Sequence, residues 1–332
     1  MHQKSAAKPT TQSPPTILLT IDVEDWFQVE NLRPWFPPDH WHEHPLRVET
    51  NTHCLLDLFD SFKKPIRATF FILGWIAQRC PQLVQAIHNR GHEVASHGNS
   101  HLLCNQMAPA DLLEDLCTSK QRLEALTGQP VYGYRAPNFS IDDNVLQMIH
   151  QCGYRYDASY NSFAMNHRYG RISNNHKQTG MALQLGEQFH ELPISNLQLA
   201  GKTIPWGGGG YFRLLPPPLF NAGVRHILQK TGVYHFYIHP WELDPDQPKV
   251  QTKPTLNTWR HYLNLHQTQT RLHHLITRFK HCRFQTCTQY IETITTTTTT
   301  TNNNQQQPTH NQQPTTHNTV GWIKRSGSTN TP

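Results

Sequence analysis

Two histidines that follow a short β-like segment are the first residues in this chain suited to metal chemistry. His97 and His101 lie four positions apart, a spacing that can turn both imidazoles toward one point. The intervening Gly98, Asn99 and Ser100 are poor helix formers, so we expect a loop rather than a helical turn. Imidazole is the commonest protein ligand for zinc and similar ions. The pattern therefore indicates a metal site, with two ordinary surface histidines, in a chain that holds 23, as the alternative.

Three carboxylates crowd the end of the first predicted strand. The run 16–22 is apolar and rich in β-branched residues, it ends in Asp22, and Glu24 and Asp25 follow. Such crowding is unfavourable unless a cation relieves it. Strand alternation places Asp22 and Glu24 on one side of the chain and Asp25 on the other. The segment predicts a carboxylate ligand for the same metal, with a solvated acidic turn as the alternative.

Further polar residues follow other predicted strands. Arg135, Asp157 and His239 each come directly after a short segment rich in aromatic or β-branched residues. Strands that alternate with helices predict a parallel sheet or an α/β barrel, and barrel strand ends share one rim. We therefore expect these three residues to converge on the carboxylates and histidines. The alternatives are a surface arginine before a proline turn, a helix N-cap and a core histidine, respectively.

Other local predictions concern helices and loops. Ser140 should cap a helix, and 258–280 should form one long helix. The glycines 207–210 should form a loop, which lacks the Lys-Ser/Thr of a phosphate-binding loop. The last helix should end near Thr293, where a Thr, Asn and Gln-rich tail begins that cannot bury enough apolar surface to order itself.

Charge and cysteine usage exclude several classes of protein. The formal net charge is +6, but no Lys/Arg block precedes the tail, so we expect no nucleic-acid partner and no membrane-binding surface. The seven cysteines form no CxxC pair, and an odd, scattered set predicts reduced core thiols. No apolar run reaches the length of a signal-peptide core or of a membrane span. We expect a cytoplasmic protein without an integral membrane segment, and leave open a peripheral attachment to an exopolysaccharide assembly system.

Five ordered segments resemble the motifs of one family. They are Thr-Ile-Asp-Val-Glu-Asp, His-Gly-Asn-Ser-His, Arg-Ala-Pro-Asn-Phe, Asp-Ala-Ser and Ile-His-Pro-Trp-Glu. Together they resemble the polysaccharide deacetylases, also called the NodB-homology or carbohydrate esterase 4 family. The Gly-rich segment 207–216 resembles the subgroup associated with exopolysaccharide and exosortase (protein-sorting) gene clusters.

The resemblance implies a fold and a domain organisation. The fold class would be α/β, a single-domain distorted (β/α) barrel with disordered ends. The domain would span 16–293, with about 155–290 as a C-terminal part specific to the subgroup. Residues 1–15 and 294–332 would be disordered.

The resemblance also implies roles at the metal. His97 and His101 would be two ligands, and the third would be a carboxylate after the first strand. Most of the family has adjacent aspartates there, whereas this chain has Val23 after Asp22. We assign Asp22 as the base and Glu24 as the ligand, with Asp25 as the competing ligand.

Further roles follow from the same resemblance. Arg135 would orient Asp22, and His239, charged and paired with Asp157, would protonate the leaving amine. The backbone N–H of Phe139 would be the oxyanion donor. Trp241 is the candidate substrate-binding tryptophan, although Trp26, Trp206 and Trp241 could equally be core residues.

The implied activity is the metal-dependent hydrolysis of N-acetyl groups on amino sugars of a polysaccharide or its precursor. A divalent ion, for which zinc is the expected choice, would lower the pKa of its water from about 15.7 toward about 7. The partner would be an acetylated amino-sugar polymer or oligosaccharide. Two alternatives remain open: hydrolysis of a small cyclic or linear amide, and a non-catalytic carbohydrate-binding relative.

Overall fold

The computed structural model describes residues 14–163, 168–173, 176–250 and 255–305, with side chains as far as Thr296. The chain divides into a unit Met1–Ile294 and a unit Thr295–Pro332. The expected disorder of the ends concerns residues that lie mostly outside the described ranges, and it stays a prediction. Among the described residues, none of the helices has the length and apolar character needed to cross a bilayer.

Strands and helices alternate through most of the first unit. The strands are β1 Thr16–Val23, β2 Thr69–Ile72, β3 Glu93–Ser96, β4 Gly133–Tyr134, β5 Tyr156–Asp157, β6 Lys177–Thr179, β7 Ala182–Gln184, β8 His190–Glu191, β9 Asn196–Leu199, β10 Lys202–Pro205, β11 Val233–Ile238 and β12 Arg283–Gln285. The α-helices are α1 Val48–Asp60, α2 Gly74–Arg79, α3 Pro81–Asn89, α4 Pro109–Thr127, α5 Asp143–Gln151, α6 Gly209–Leu214, α7 Pro217–Thr231, α8 Leu256–Tyr262, α9 Thr268–Arg278 and α10 Cys287–Gln305.

One curled sheet organises these elements. Its order is β11-β1-β2-β3-β4-β5-β8-β7-β6, with β12 beside β1, while β9 and β10 form a separate hairpin. Neighbours from β11 to β8 are parallel, and β7 and β6 continue antiparallel. The chain after β8 returns to β11, where the Ser195 N–H donates to the His235 carbonyl at 3.3 Å. The predicted α/β class and distorted barrel are confirmed, and the carboxyl ends of the parallel strands share one rim.

Strand β1 divides the core into two faces. All eight of its residues are buried, as expected for a central strand covered on both sides. Ile17, Leu19 and Ile21 pack in the cluster shared with the helices, whereas Leu18 packs in a second cluster with residues of other strands and of α10. The period of two puts Thr20 and Asp22 on the same face as Leu18. Polar groups of β1 therefore lie inside the barrel, toward the rim.

Several local predictions were wrong. The helix expected at 258–280 is broken into α8 and α9, because Asn264 takes a left-handed conformation (φ 55°). Helix α5 is capped by the Asp142 side chain, which accepts from the Val145 N–H at 2.8 Å, and not by Ser140. Helix α6 begins inside the four-glycine segment, at Gly209, where a Cβ would collide with a buried carboxylate. Helix α10 continues to Gln305, beyond the expected end near Thr293.

The expectation that all cysteines are reduced was also wrong. Cys117 of α4 and Cys152 at the end of α5 form a disulfide, with their Cα atoms 5.7 Å apart. The two residues are 35 positions apart in sequence, so nothing local indicates that their helices pack side by side. The other five cysteines are free, and four of these are buried.

The disulfide can be tested by counting free thiols. Alkylation of the denatured, unreduced protein should label five thiols, and prior reduction should expose seven. Cys152→Ser should lower the free energy of unfolding by roughly 2–4 kcal/mol, because it opens a closed loop in the unfolded chain. Cys54→Ser, at a half-buried free cysteine, is the matched control and should leave thiol pairing unchanged. Seven labelled thiols without reduction would contradict the pairing.

Candidate active site

Glu24, His97 and His101 meet in one buried cluster at the rim. The Glu24 Oε1 atom lies 2.9 Å from the Nε2 atom of each histidine, and the three side chains are at most 6% exposed. The potential ligand atoms all lie within 4.8 Å of one another. Burial alone raises the pKa of Glu24, but the charges of the neighbouring His101 and His239 bring that pKa well below its ordinary value. The cluster thus presents a charged carboxylate to two imidazoles.

The hydrogen bonding of His97 indicates that this cluster suits a cation. Its Nδ1 lies 2.8 Å from the Arg135 carbonyl oxygen, which can only accept, so Nδ1 carries the proton. In the neutral ring the Nε2 lone pair then faces the Glu24 oxygen, and two acceptors at 2.9 Å repel unless a cation lies with them. A carbonyl behind a histidine that fixes its tautomer is the usual support of a metal ligand. The donor set therefore fits a divalent ion.

The loop that carries the two histidines is held by helix α4. The Asp115 carboxylate accepts from the backbone N–H of Asn99 at 2.7 Å and of Ser100 at 2.9 Å. Gly98 adopts φ 75°, and a Cβ there would lie 2.9 Å from Asp115 Oδ2. Only glycine meets both conditions easily, so the residues between the histidines determine where the imidazoles point.

Asp25, the competing ligand of the sequence analysis, turns away from the cluster. Its carboxylate accepts from the backbone N–H groups of Trp26 and Arg47, each at 2.8 Å, and of Val48 at 3.0 Å. It therefore caps the turn 26–28 and the start of α1. These contacts favour Glu24 over Asp25 as the ligand, because the Asp25 oxygens already serve N–H groups on the other side of the chain.

Asp22 and Arg135 form a buried ion pair inside the barrel. Arg135 Nη1 lies 2.6 Å from Asp22 Oδ1, and the side chains are 0% and 3% exposed. The same Nη1 donates to Thr20 Oγ1 at 2.8 Å, and Nη2 lies 2.8 Å from His235 Nε2. Burial and the arginine charge hold the pKa of His235 well below its ordinary value, so His235 is neutral and can accept this bond. The predicted contact of Arg135 with Asp22 is present. Arg135 is buried, so the alternative of a surface arginine is excluded.

The predicted pairing of Asp157 with His239 is absent. Asp157 accepts from Ser159 N at 3.0 Å and from Ser159 Oγ at 2.7 Å, and that hydroxyl accepts from Ala136 N at 2.8 Å. Burial raises the pKa of Asp157, and burial together with the Asp157 charge raises the pKa of the adjacent Glu191 well above its ordinary value. Asp157 and Glu191 therefore share a proton, and Asp157 supports the turn after Arg135. The prediction that Asp157 pairs with His239 was wrong.

Glu242 takes the place expected for Asp157. Its Oε1 lies 2.9 Å from His239 Nδ1, and its Oε2 accepts from Arg213 Nε at 2.7 Å. Burial raises the pKa of Glu242, but the Arg213 charge outweighs burial and brings that pKa to about 2. His239 Nε2 then faces Asp22 Oδ2 and Glu24 Oε1, each at 3.9 Å. Sequence reasoning missed Glu242 and Arg213, although a glutamate three residues after His239 was a usable signal.

The turn after Arg135 also differs from expectation. The backbone N–H of Phe139 donates to the Ala136 carbonyl at 2.9 Å, so it is not the free oxyanion donor predicted. The preceding Asn138 adopts φ 53°, and its Nδ2 atom is buried without a hydrogen-bond partner. Both Asn138 and Phe139 line the central cavity. Asn138 is thus a donor in the right segment that the sequence did not reveal.

The three tryptophans separate into core and cavity. Trp26 and Trp206 are 2% and 5% exposed, and their indole N–H groups donate to the carbonyls of Pro45 and Phe220. Trp241 lines the cavity, but it is 6% exposed and its ring stacks on His239 and His261. Trp241 therefore supports the His239 ring, and its role in substrate binding stays a prediction.

The cluster opens into a cavity of about 710 Å³ that both halves of the chain build. The first half contributes the cluster itself, Asp22 and the turn 136–139. The second half contributes His239, the glycine segment and residues of helix α8. Two imidazoles, two carboxylates and one further histidine therefore lie together at the rim of an α/β barrel, and this set of donors fits a divalent ion.

Two family models match the chain in succession. Residues 11–156 match the model described as polysaccharide deacetylase, and residues 158–292 match a domain of unknown function, DUF3473. The chain thus contains a polysaccharide deacetylase domain, which the DUF3473 domain follows as a C-terminal extension. The cluster lies in the first region, whereas His239, Glu242 and Arg213 lie in the second.

The chain is also similar in sequence to individual deacetylases. The chain is 32% identical over 106 residues to a peptidoglycan-N-acetylglucosamine deacetylase of Bacillus cereus, covering 32% of this chain and 48% of that protein. It is 26% identical over 166 residues to a peptidoglycan deacetylase of Helicobacter pylori, covering 50% and 55%. The chain thus spans about half the length of the curated relatives it matches.

Solved structures share the fold. A candidate polysaccharide deacetylase of Mycobacterium smegmatis superposes with a TM-score of 0.58 at 16% identity, over 95% of this chain and 99% of that one. An allantoinase superposes with a TM-score of 0.52 at 14% identity, over 86% and 96%. At these identities the likeness concerns the fold alone.

Metal binding provides the direct test of the cluster. His101→Ala should weaken binding of zinc or cobalt by more than the roughly 10–100-fold that loss of a supporting partner costs, because it removes one of three ligand side chains. Asp25→Asn is the matched control and should bind as the wild type does, because Asp25 caps a helix. Metal content by elemental analysis and affinity by calorimetry are the measurements. Equal loss in both variants would contradict the assignment of Glu24 over Asp25.

Proposed function

We propose that this protein is a metal-dependent hydrolase that removes N-acetyl groups from amino sugars of a polysaccharide or of its precursor. The observation that carries the proposal is the buried cluster of Glu24, His97 and His101 with Asp22 and His239 beside it. A divalent ion held by the three cluster residues, with zinc as the expected ion, would polarise the amide carbonyl and lower the pKa of water. The remaining chemistry falls to side chains of the chain itself.

Asp22 is suited to accept a proton from the attacking water. It is 3% exposed, and the buried Arg135 guanidinium compensates its charge through Oδ1. Its second oxygen, Oδ2, faces His239 across 3.9 Å and is the one that remains for the water. A positioned base of this kind contributes typically about 10²–10⁴-fold to the rate. In this scheme Arg135 is a positioning residue.

His239 is suited to donate a proton to the leaving amine. Burial disfavours the charged imidazole, but the charges of Glu24 and Glu242 outweigh it and raise the pKa of His239 to about 9. Glu242 accepts from Nδ1, which favours the charged ring and leaves Nε2 facing the cavity. Deacetylation needs such a donor, because an amine is a poor leaving group unless it is protonated.

Asn138 is suited to replace the oxyanion donor assigned earlier to Phe139. Its Nδ2 is buried without a partner and belongs to a residue that lines the cavity. A fixed amide donor beside a developing negative charge stabilises the transition state more than the same donor would in water. We assign the carbonyl oxygen of the acetamide as the acceptor of this bond.

The substrate class is supported by the cavity and by the relatives. A space of about 710 Å³ exceeds what an acetamide group needs and suits one or more sugar residues. One relative is named a peptidoglycan-N-acetylglucosamine deacetylase, and another, a protein of Bradyrhizobium that is 28% identical over 89 residues, is named a chitooligosaccharide deacetylase. These points favour an acetylated amino-sugar chain over a small cyclic or linear amide.

Acetate release from acetylated chito-oligosaccharides tests the proposal. The metal-loaded wild type should release acetate. Asp22→Asn and His239→Ala should each lower kcat by about 10²–10⁴-fold while keeping the metal, because neither residue belongs to the cluster. His226→Ala, at an exposed position of α7, is the control and should keep full activity.

Two outcomes would contradict the proposal in different ways. Hydrolysis of a ureide with every acetylated sugar untouched would establish the small-amide alternative. Binding of the oligosaccharide without acetate release, in a protein with full metal content, would establish a carbohydrate-binding protein.

The Glu242 side chain gives a separate prediction. Glu242→Gln should lower kcat by roughly 10–100-fold, the cost typical of losing a supporting partner, because the imidazole loses the charge that keeps it protonated. Metal content should be unchanged, and Glu187→Gln at an exposed site should leave kcat as it is. Steady-state kinetics with parallel elemental analysis are the measurements. An unchanged kcat in Glu242→Gln would remove Glu242 from the proton-donating assembly.

A further inference from the structure

We propose that the cavity contains a subsite for an anionic group of the glycan, a carboxylate or a phosphate, formed around Arg260, with Arg168 as a second arginine in the lining. The inference rests on the proposed function, since it concerns a substituent near the acetylated sugar. Both arginines line the cavity, and both lie in the DUF3473 region. The subsite thus belongs to the extension and not to the deacetylase domain.

The balance of charge in the cavity supports a binding role for Arg260. Other charged lining residues have partners: Asp22 pairs with Arg135, Glu30 with Arg33, and Glu242 with Arg213. Glu24 belongs to the cluster with the two histidines. Among the described residues, Arg260 forms no ion pair with a carboxylate. Its half-buried positive charge therefore faces the cavity without an internal counter-charge.

The Arg260 side chain is also held in place. Its guanidinium lies over the Tyr211 ring, 4.4 Å from the ring centroid, and its carbonyl accepts from Arg213 Nη1 at 3.3 Å. Gly210 leaves the room that the guanidinium uses, since a Cβ at that position would lie 3.2 Å from Arg260 Nη2. A guanidinium ordered before binding loses little entropy when it takes a ligand.

Arg168 adds a second cation to the lining of the cavity. It donates to the Asn31 side-chain oxygen at 2.9 Å, and Asn31 lies in the turn Glu30–Leu32. Helix α8, which carries Arg260, packs against that same turn. The Arg168 side chain and the helix that carries Arg260 thus both contact this turn.

The chemistry of these groups selects the ligand. A guanidinium offers parallel N–H donors that match the two oxygens of a carboxylate or phosphate. A neutral glycan would bury the Arg260 charge without compensating it, and that desolvation costs free energy. A glycan with an acidic group would meet the charge directly, so the cavity should favour acidic over neutral acetylated chains.

Paired substrates and variants at position 260 test the inference. The probes are neutral chitotetraose, a tetrasaccharide of alternating N-acetylglucosamine and glucuronate, and N-acetylglucosamine 1-phosphate. In the metal-loaded wild type, kcat/KM for at least one acidic probe should exceed that for chitotetraose.

Arg260→Gln should lower kcat/KM for that probe by about tenfold, the scale of one charged hydrogen bond, and Arg260→Lys should lower it by less. Chitotetraose turnover should stay within about twofold, and Arg225→Gln, at an exposed position of α7, should change neither.

The outcomes separate this inference from the proposed function. If Arg260→Gln lowers kcat/KM for the glucuronate tetrasaccharide, the subsite binds a carboxylate. If it lowers kcat/KM for N-acetylglucosamine 1-phosphate, the subsite binds a phosphate. An equal effect of Arg260→Gln on neutral and acidic probes, or no effect on either, would overturn the subsite. If no probe releases acetate, the proposed function fails. Calorimetric binding of the glucuronate tetrasaccharide to wild type and to Arg260→Gln then still decides the subsite: weaker binding by the variant supports it, and equal binding overturns it.

Discussion

The contact of one buried carboxylate oxygen with two imidazole nitrogens is the constraint on which the rest of this structure depends. Glu24 Oε1 lies 2.9 Å from both His97 Nε2 and His101 Nε2. Because the His97 Nδ1 carries the proton, a neutral His97 turns a lone pair toward this oxygen, and two acceptors held this close away from solvent need positive charge beside them. The fold supplies rigid support: parallel strands bring the segments to one rim, a carbonyl fixes one imidazole, and Asp115 fixes the loop between the histidines.

A second feature is that the two family regions share one site. The cluster and the Asp22–Arg135 pair come from the region that matches the deacetylase model. His239 comes from the DUF3473 region, and so do Glu242 and Arg213, which orient and charge it. The Arg213 guanidinium also donates to the backbone carbonyls of His261 and Leu263, so the helix that carries Arg260 is tied to the same network. The extension is therefore part of the site's construction and not an appendage to it.

Sequence reasoning reached those parts of the site that obey a local rule. The period of two put Asp22 and Glu24 on one side and Asp25 on the other, and the structure has that division. Alternating strands and helices predicted the barrel, because parallel strand ends must share a rim. The predicted donor, the Phe139 N–H, is not free, because the left-handed Asn138 turns the backbone so that this N–H donates to the Ala136 carbonyl. The unpartnered donor is the side chain of the preceding residue, Asn138.

Other features depend on packing that no local pattern encodes. Asp157 was paired with His239 on family expectation, whereas the fold gives it to Ser159 and brings Glu242 to the histidine. Arg213 could not be found, since its partner is 29 residues away in sequence. The pairing of Cys117 with Cys152 and the break at Asn264 likewise reflect helix packing and a single backbone conformation.

The most direct test of the metal site is a crystal structure that combines anomalous scattering with a soaked acetylated oligosaccharide. We expect an anomalous peak at about 2.0–2.2 Å from an oxygen of Glu24 and from Nε2 of both histidines. We also expect an acetamide group within hydrogen-bonding reach of Asp22 and His239. A peak bound by Asp25, or an occupied metal site with the acetamide remote from His239, would contradict these expectations.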